Sequence, residues 1–97
     1  MKIRKALLEK YLTYVGANLY RLRVAQGLTQ EQLAHRAGVE LSFFQRVERA
    51  KTNVSLASLL ALASAVNVPI QMLLEPARMG PPRRGRPRQS VRSRRGP

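Results

Sequence analysis

Eight arginines crowd the residues after Ala77, and ten further Lys and Arg meet five Glu in the stretch up to Glu75. The chemistry this pattern supports is the binding of a polyanion. Each cation placed on a phosphate releases condensed counterions, a gain that needs no particular base sequence. A net charge of +13 and a pI near 11.8 agree with it. Charge alone does not choose among DNA, RNA and anionic lipid. Two places offer finer anion chemistry. Thr29 and Gln30 stand where a helix begins, so unpaired amides there favour an anion. Arg49, Lys51 and Asn53 stand at or just after the end of another helix as phosphate contacts, with plain solubilising charge the alternative for Arg49 and Lys51. The groups that would do catalysis or hold a metal are missing. His35 is the only histidine, there is no cysteine, and no phosphate-binding glycine loop or nucleophile with a base is found. No enzyme activity, cofactor, metal or small-molecule substrate is expected.

The elements that must position these residues are helical. Apolar residues recur three or four apart at Ile3, Leu7, Tyr11, Val15, Leu19, Leu22 and Ala25, one face of a helix that Gly27 ends. Gly16 interrupts the pattern at about 1 kcal/mol relative to alanine, so the stretch reads as one rod or as two helices meeting near Thr13. Thr29 and Gln32 have the spacing of a capping box, with Leu28 placed to staple against Leu33, and open a helix from Gln30 to about Arg36. Gly38 breaks it, and a third helix from about Glu40 to Arg49 buries Phe44 and Val47. Ser55 caps a fourth helix with the stripe Leu56, Leu59, Leu60, Ala63 and Val66, which Asn67 can close. Pro69 opens a short fifth helix through Leu74, and Pro76 stops it. No run alternates with a period of two. The expected fold is all-α: a five-helix domain over residues 1–75, then a Gly/Pro/Ser/Arg-rich tail over 76–97 that reads as disordered. No run suits a signal peptide or a membrane span, so the expectation is a soluble, cytoplasmic, nucleoid-associated protein.

Two short helices around a tight glycine turn, here Gln30 to Val47, form the unit that places a recognition helix in the major groove. Ala34 is small where the helices cross, and Gly38 can adopt positive φ in the turn. The strings Gly27-Leu28-Thr29-Gln30-Glu31-Gln32-Leu33-Ala34, Ala37-Gly38-Val39, Gln45-Arg46-Val47-Glu48-Arg49 and Ser55-Leu56 resemble the Cro and phage-repressor helix-turn-helix family. The resemblance runs from about Val15 to Leu74. It implies double-stranded DNA as partner, a role as transcriptional regulator, and Glu40, Leu41, Ser42 and Arg46 as the residues facing base edges. It also implies an ion pair between Arg23 and Glu48. Arg46 can donate two bonds to the O6 and N7 of guanine, or one to a phosphate, and Leu41 can rest on a thymine methyl or pack inward. Two departures stand out. Glu40 occupies a position where the family has Ser or Thr, which suits the helix dipole but brings a negative charge towards phosphates. Arg49-Ala50 replaces a common glycine, so the exit from the third helix is expected to differ.

Arg83-Arg84-Gly85-Arg86-Pro87-Arg88 resembles an AT-hook, in which glycine lets the chain sink into a narrow minor groove and arginines track its negative potential. A generic polybasic tail is the alternative. The fourth helix and the residues Val68, Ile70, Met72, Leu73 and Leu74 carry more apolar surface than one stripe needs. That surplus suits a homodimer reading two half-sites, or closure of the monomer core over Leu8 and Leu12. An architectural DNA-binding protein and an antitoxin-like autoregulator are the competing functional readings.

Overall fold

A computed structural model describes residues 1–80. The hook-like residues Arg83, Arg84, Gly85, Arg86, Pro87 and Arg88 lie outside the described residues. Within them the chain forms α1 (Lys5–Ala25), α2 (Gln30–Ala37), α3 (Leu41–Glu48) and α4 (Leu56–Ala65), and then one turn of 3₁₀ helix at Ile70–Leu73. The described residues contain no strand. The expected fifth α-helix is thus a single 3₁₀ turn, opened by Pro69 as anticipated, with Met72 N–H bonded to the Pro69 carbonyl. Only six residues lie between Pro69 and Pro76, which leaves little room for a longer ladder. No helix among the described residues is long and apolar enough to cross a membrane.

All four α-helices end in the same local closure. Gly27, Gly38, Ala50 and Asn67 each adopt positive φ. In every case the residue itself bonds back three positions and the next residue bonds back five, as in Leu28 N–H to Arg23 O and Val39 N–H to Ala34 O. The exit from α3 therefore keeps this closure despite the missing glycine: Lys51 N–H reaches Arg46 O at 2.8 Å, with Ala50 held at φ 59°. The starts are equally local. Thr29 accepts from Gln32 N–H and Gln32 accepts from Thr29 N–H, the full capping box, while Ser55 accepts from Ser58 N–H.

The core is built from Val15, Leu19, Leu22, Leu33, Phe44, Val47, Leu62, Val66 and Leu73, all buried. α1 is one continuous helix. Gly16 does not break it but lets its backbone meet the carbonyls at the end of α3. Ile3, Leu7 and Tyr11, expected on the buried face, are 55%, 40% and 44% exposed. The reason is length: 21 residues rise about 31 Å, whereas eight-residue partners rise about 12 Å, so the first turns of α1 outreach them. The α4 stripe is also rotated from expectation. Leu62, which is not in the expected stripe, is fully buried, and Leu56 and Leu60, which are, stand 66% and 51% exposed. In a helix reading LASLLALASA almost every position is apolar or small, so periodicity does not fix its phase.

The ends of the domain are tied by polar side chains. Asn18, buried in α1, donates to the carbonyls of Leu73 and Glu75, fastening the 3₁₀ turn and the residues just after it. Gln26 and Arg36 donate to the carbonyls of Val66 and Ala65, which the end of α4 leaves unpaired. Val68, Ile70 and Leu74 pack against the core, so that part of the apolar surplus closes the monomer.

Candidate nucleic-acid interface

α3 has two faces. Phe44, Val47 and Glu48 are buried against α1 and α2, and Phe43 is half-buried against the core. Glu40, Ser42, Arg46 and Arg49 are exposed, and Leu41 and Gln45 are half-exposed. At 3.6 residues per turn, positions 41, 42, 45, 46 and 49 share one side of the helix. Three of the four residues expected to face base edges, Leu41, Ser42 and Arg46, therefore lie together on the outward side. Glu40 sits at the entrance as N-cap, in extended conformation and without a side-chain cap bond. A cap without a hydroxyl leaves the first amides of α3 unpaired.

The buried backing of this face is polar. Arg23 donates to Glu48 through Nε at 2.7 Å and through a terminal nitrogen at 3.2 Å, a forked pair with both side chains largely out of solvent. The expected ion pair is present. The same guanidinium donates to the Leu28 carbonyl at 2.9 Å and lies over the Tyr20 ring at 5.4 Å. Glu48 accepts a third bond from Gln30 Nε2 at 3.0 Å, and Gln30 Oε1 accepts from Gln45 Nε2 at 3.2 Å. One connected network thus joins α1, the start of α2 and α3. Leaving any of its charged members unpaired would be costly in so dry a site.

Thr29 is exposed and Gln30 half-exposed at the start of α2. The capping box uses the amides of Thr29 and Gln32, which leaves those of Gln30 and Glu31 for an anion. The Gln30 side chain, however, is engaged inside the protein, so only its amide stays free for a phosphate. Arg49, Lys51 and Asn53 line a groove of about 640 Å³ against Lys5, Leu8 and Leu12 of α1, and Met79 lines the same groove. Basic side chains from two elements border one depression. His35 is exposed on α2.

Nothing in the sequence gives Gln45, beyond its place in a family-like string, or Asn18 a role of its own. Each gains its meaning from a partner far along the chain, and a lone amide in a helix carries no local signal.

The family model described as a helix-turn-helix domain matches residues 15–75. The chain belongs to the helix-turn-helix family. Its HTH region is similar to that of y4dJ, an HTH-type transcriptional regulator of Sinorhizobium fredii. The two are 37% identical over 62 residues, 64% of this chain and 80% of that one. The HTH chain is likewise 35% identical to the control protein C.SmaI of Serratia marcescens, over 76% of this chain and 79% of that one. Among solved structures, the restriction-modification controller protein C.AhdI of Aeromonas hydrophila superposes with a TM-score of 0.62 at 42% identity. That match covers 64% of this chain and 94% of C.AhdI. The HTH match begins at residue 15, so the first two to three turns of α1 lie ahead of it.

Proposed function

We propose that this protein is a sequence-specific regulator of transcription, most simply a repressor, that lays α3 in the major groove of double-stranded DNA. The observation that carries this reading is the two-sided build of α3: an outward face of Leu41, Ser42 and Arg46 over a buried face locked to α1 and α2. A helix presented so rigidly loses little freedom on binding. Its likeness to transcriptional regulators and to controller proteins supports the same reading.

Arg46 reads guanine, and Ser42 and Leu41 add a base or methyl contact, with Glu40 discouraging wrong sites by its charge. The amides at Gln30 and the side chains of Thr29, Arg49, Lys51 and Asn53 hold the phosphates on either side of the groove. Residues 1–75 form the reading domain, and residues 76–97 add arginines for phosphates or, through Arg83 to Arg88, for an A·T-rich minor groove. Two copies bind half-sites about 34 Å apart, and the exposed leucines Leu56 and Leu60 of α4 supply apolar surface for pairing. The action is cytoplasmic, at the nucleoid.

Selection of bound fragments from a random duplex pool, and then comparison of the selected site with a scrambled one at physiological salt, tests the reading. A preference of about a thousandfold or more is expected. Equal binding to both duplexes overturns it in favour of an architectural role.

A further inference from the structure

We propose that Gln45 reads an adenine in the major groove, held in one amide orientation by a relay of hydrogen bonds that starts at Arg23. The proposal rests on the major-groove reading above. It adds a base-reading residue to α3 and a positioning residue, Gln30, behind it.

Each orientation in the relay is dictated by chemistry. A guanidinium only donates and a carboxylate only accepts. The carboxylate of Glu48, 6% exposed, is fixed by the Arg23 fork. The end of Gln30 that lies 3.0 Å from that carboxylate must therefore be its NH₂ group. Its carbonyl oxygen then faces Gln45, and the group 3.2 Å away on Gln45 must again be NH₂. No amide in this chain can flip without setting a donor against a donor or an acceptor against an acceptor.

What remains on Gln45 is its carbonyl oxygen and its second N–H. That acceptor and donor pair matches the N6 amino group and N7 of adenine. Guanine offers two acceptors on the same edge, and a carbonyl oxygen would oppose them. Gln45 is half-exposed on the outward side of α3, one turn after Leu41, and borders an open recess with Thr29, Gln30 and Leu41. The network orders the side chain before DNA arrives, so binding loses less rotamer freedom there.

The test is site selection with the full-length chain and three variants. Gln45→Ala is expected to remove discrimination at one A·T pair per half-site, roughly fivefold to a hundredfold at that pair, while other positions stand. Gln45→Glu, which can only accept, sets an acceptor against the Gln30 carbonyl oxygen and is expected to abolish the adenine preference, any new preference going to cytosine, which donates from N4. Gln30→Ala is expected to weaken discrimination at the same pair without changing the preferred base. An equal loss on all sequences for Gln30→Ala, with the A·T preference at that pair intact, would show that Gln30 does not position Gln45 and would dissolve the relay. A selected site that Gln45→Ala and Gln45→Glu both leave unchanged overturns the proposal alone. A wild-type chain with no preference on any duplex overturns it together with the regulator reading.

Discussion

A methyl group on Gly16 would stand 2.6 Å from the carbonyl oxygen of Glu48, and 2.7 Å from that of Val47. Both obstacles are backbone at the end of α3, and neither can rotate away. Alanine is the better helix former by about 1 kcal/mol, so at a free position Gly16→Ala would stabilise. Here the contact wins, and the variant is expected to lose about 1–3 kcal/mol as α1 and α3 are pushed apart. Urea unfolding of the two proteins decides it; a more stable alanine variant would mean that the helices separate freely.

Ala50 is the opposite case. At φ 59° its Cβ crowds the backbone, at a cost of roughly 1–2 kcal/mol that glycine avoids. Glycine loses about 0.4–1 kcal/mol more entropy on folding, so Ala50→Gly is expected to gain roughly 0.5–1 kcal/mol. Its melting temperature should rise by a few degrees. Asn67→Ala, which places alanine at φ 63°, should fall in a thermal scan run alongside.

The pair Arg23–Glu48 lends itself to a double-mutant cycle. Glu48→Ala leaves the Arg23 charge and the Gln30 amide without their acceptor in a largely dry site, and is expected to cost about 3–5 kcal/mol. Arg23→Met with Glu48→Leu should cost less than the sum of the two single changes. Additive losses from denaturant titrations would show that the two groups act independently.

Distance along the chain decides how much of this molecule is legible in its sequence. The caps at Thr29 and Ser55 and the closures at Gly27, Gly38 and Asn67 depend on bonds within a few residues, and their residue types announce them. Arg23–Glu48 is legible through resemblance alone, and so is the outward placement of Ser42 and Arg46. Gly16 reads as a flaw in a helix because the backbone it admits lies some thirty residues later. The phase of α4 is hidden by its uniform apolarity, and the exposed start of α1 by partners shorter than itself. Gln45 is marked only by its place in a family-like string; its orientation comes from Gln30, fifteen residues earlier.

Arg46 and Lys51 should separate base reading from phosphate holding. Arg46→Ala is expected to relax one base position per half-site at about 1–3 kcal/mol. Lys51→Ala, in the groove beside α1, is expected to weaken all duplexes alike and to flatten the salt dependence by about one unit. Binding isotherms at several salt concentrations distinguish them, and an unchanged slope for Lys51→Ala would place that residue outside the interface.

Removal of residues 81–97 takes away seven arginines. Specific and non-specific affinity are expected to fall together, with their ratio held or raised, because phosphate contacts carry no base identity. If Arg84-Gly85-Arg86-Pro87 acts as a hook, the loss is greater on duplexes flanked by A·T tracts than on G·C-flanked ones. Equal losses would identify a polybasic tail. The melting transition should stay where it is, since Asn18 already fastens the chain at Leu73 and Glu75.

The shared ending of the four helices also bears on time. Each closing bond spans at most five residues, so a helix can be finished at its C-terminus before any distant contact exists. Short connections then add little loop-closure entropy, and domains dominated by such nearby contacts fold within microseconds to milliseconds. Refolding of chains that already hold their prolines trans should therefore fall in the microsecond-to-millisecond range. A chain this quick presents α3 already complete, so even an encounter too brief for ordering on contact meets a finished helix.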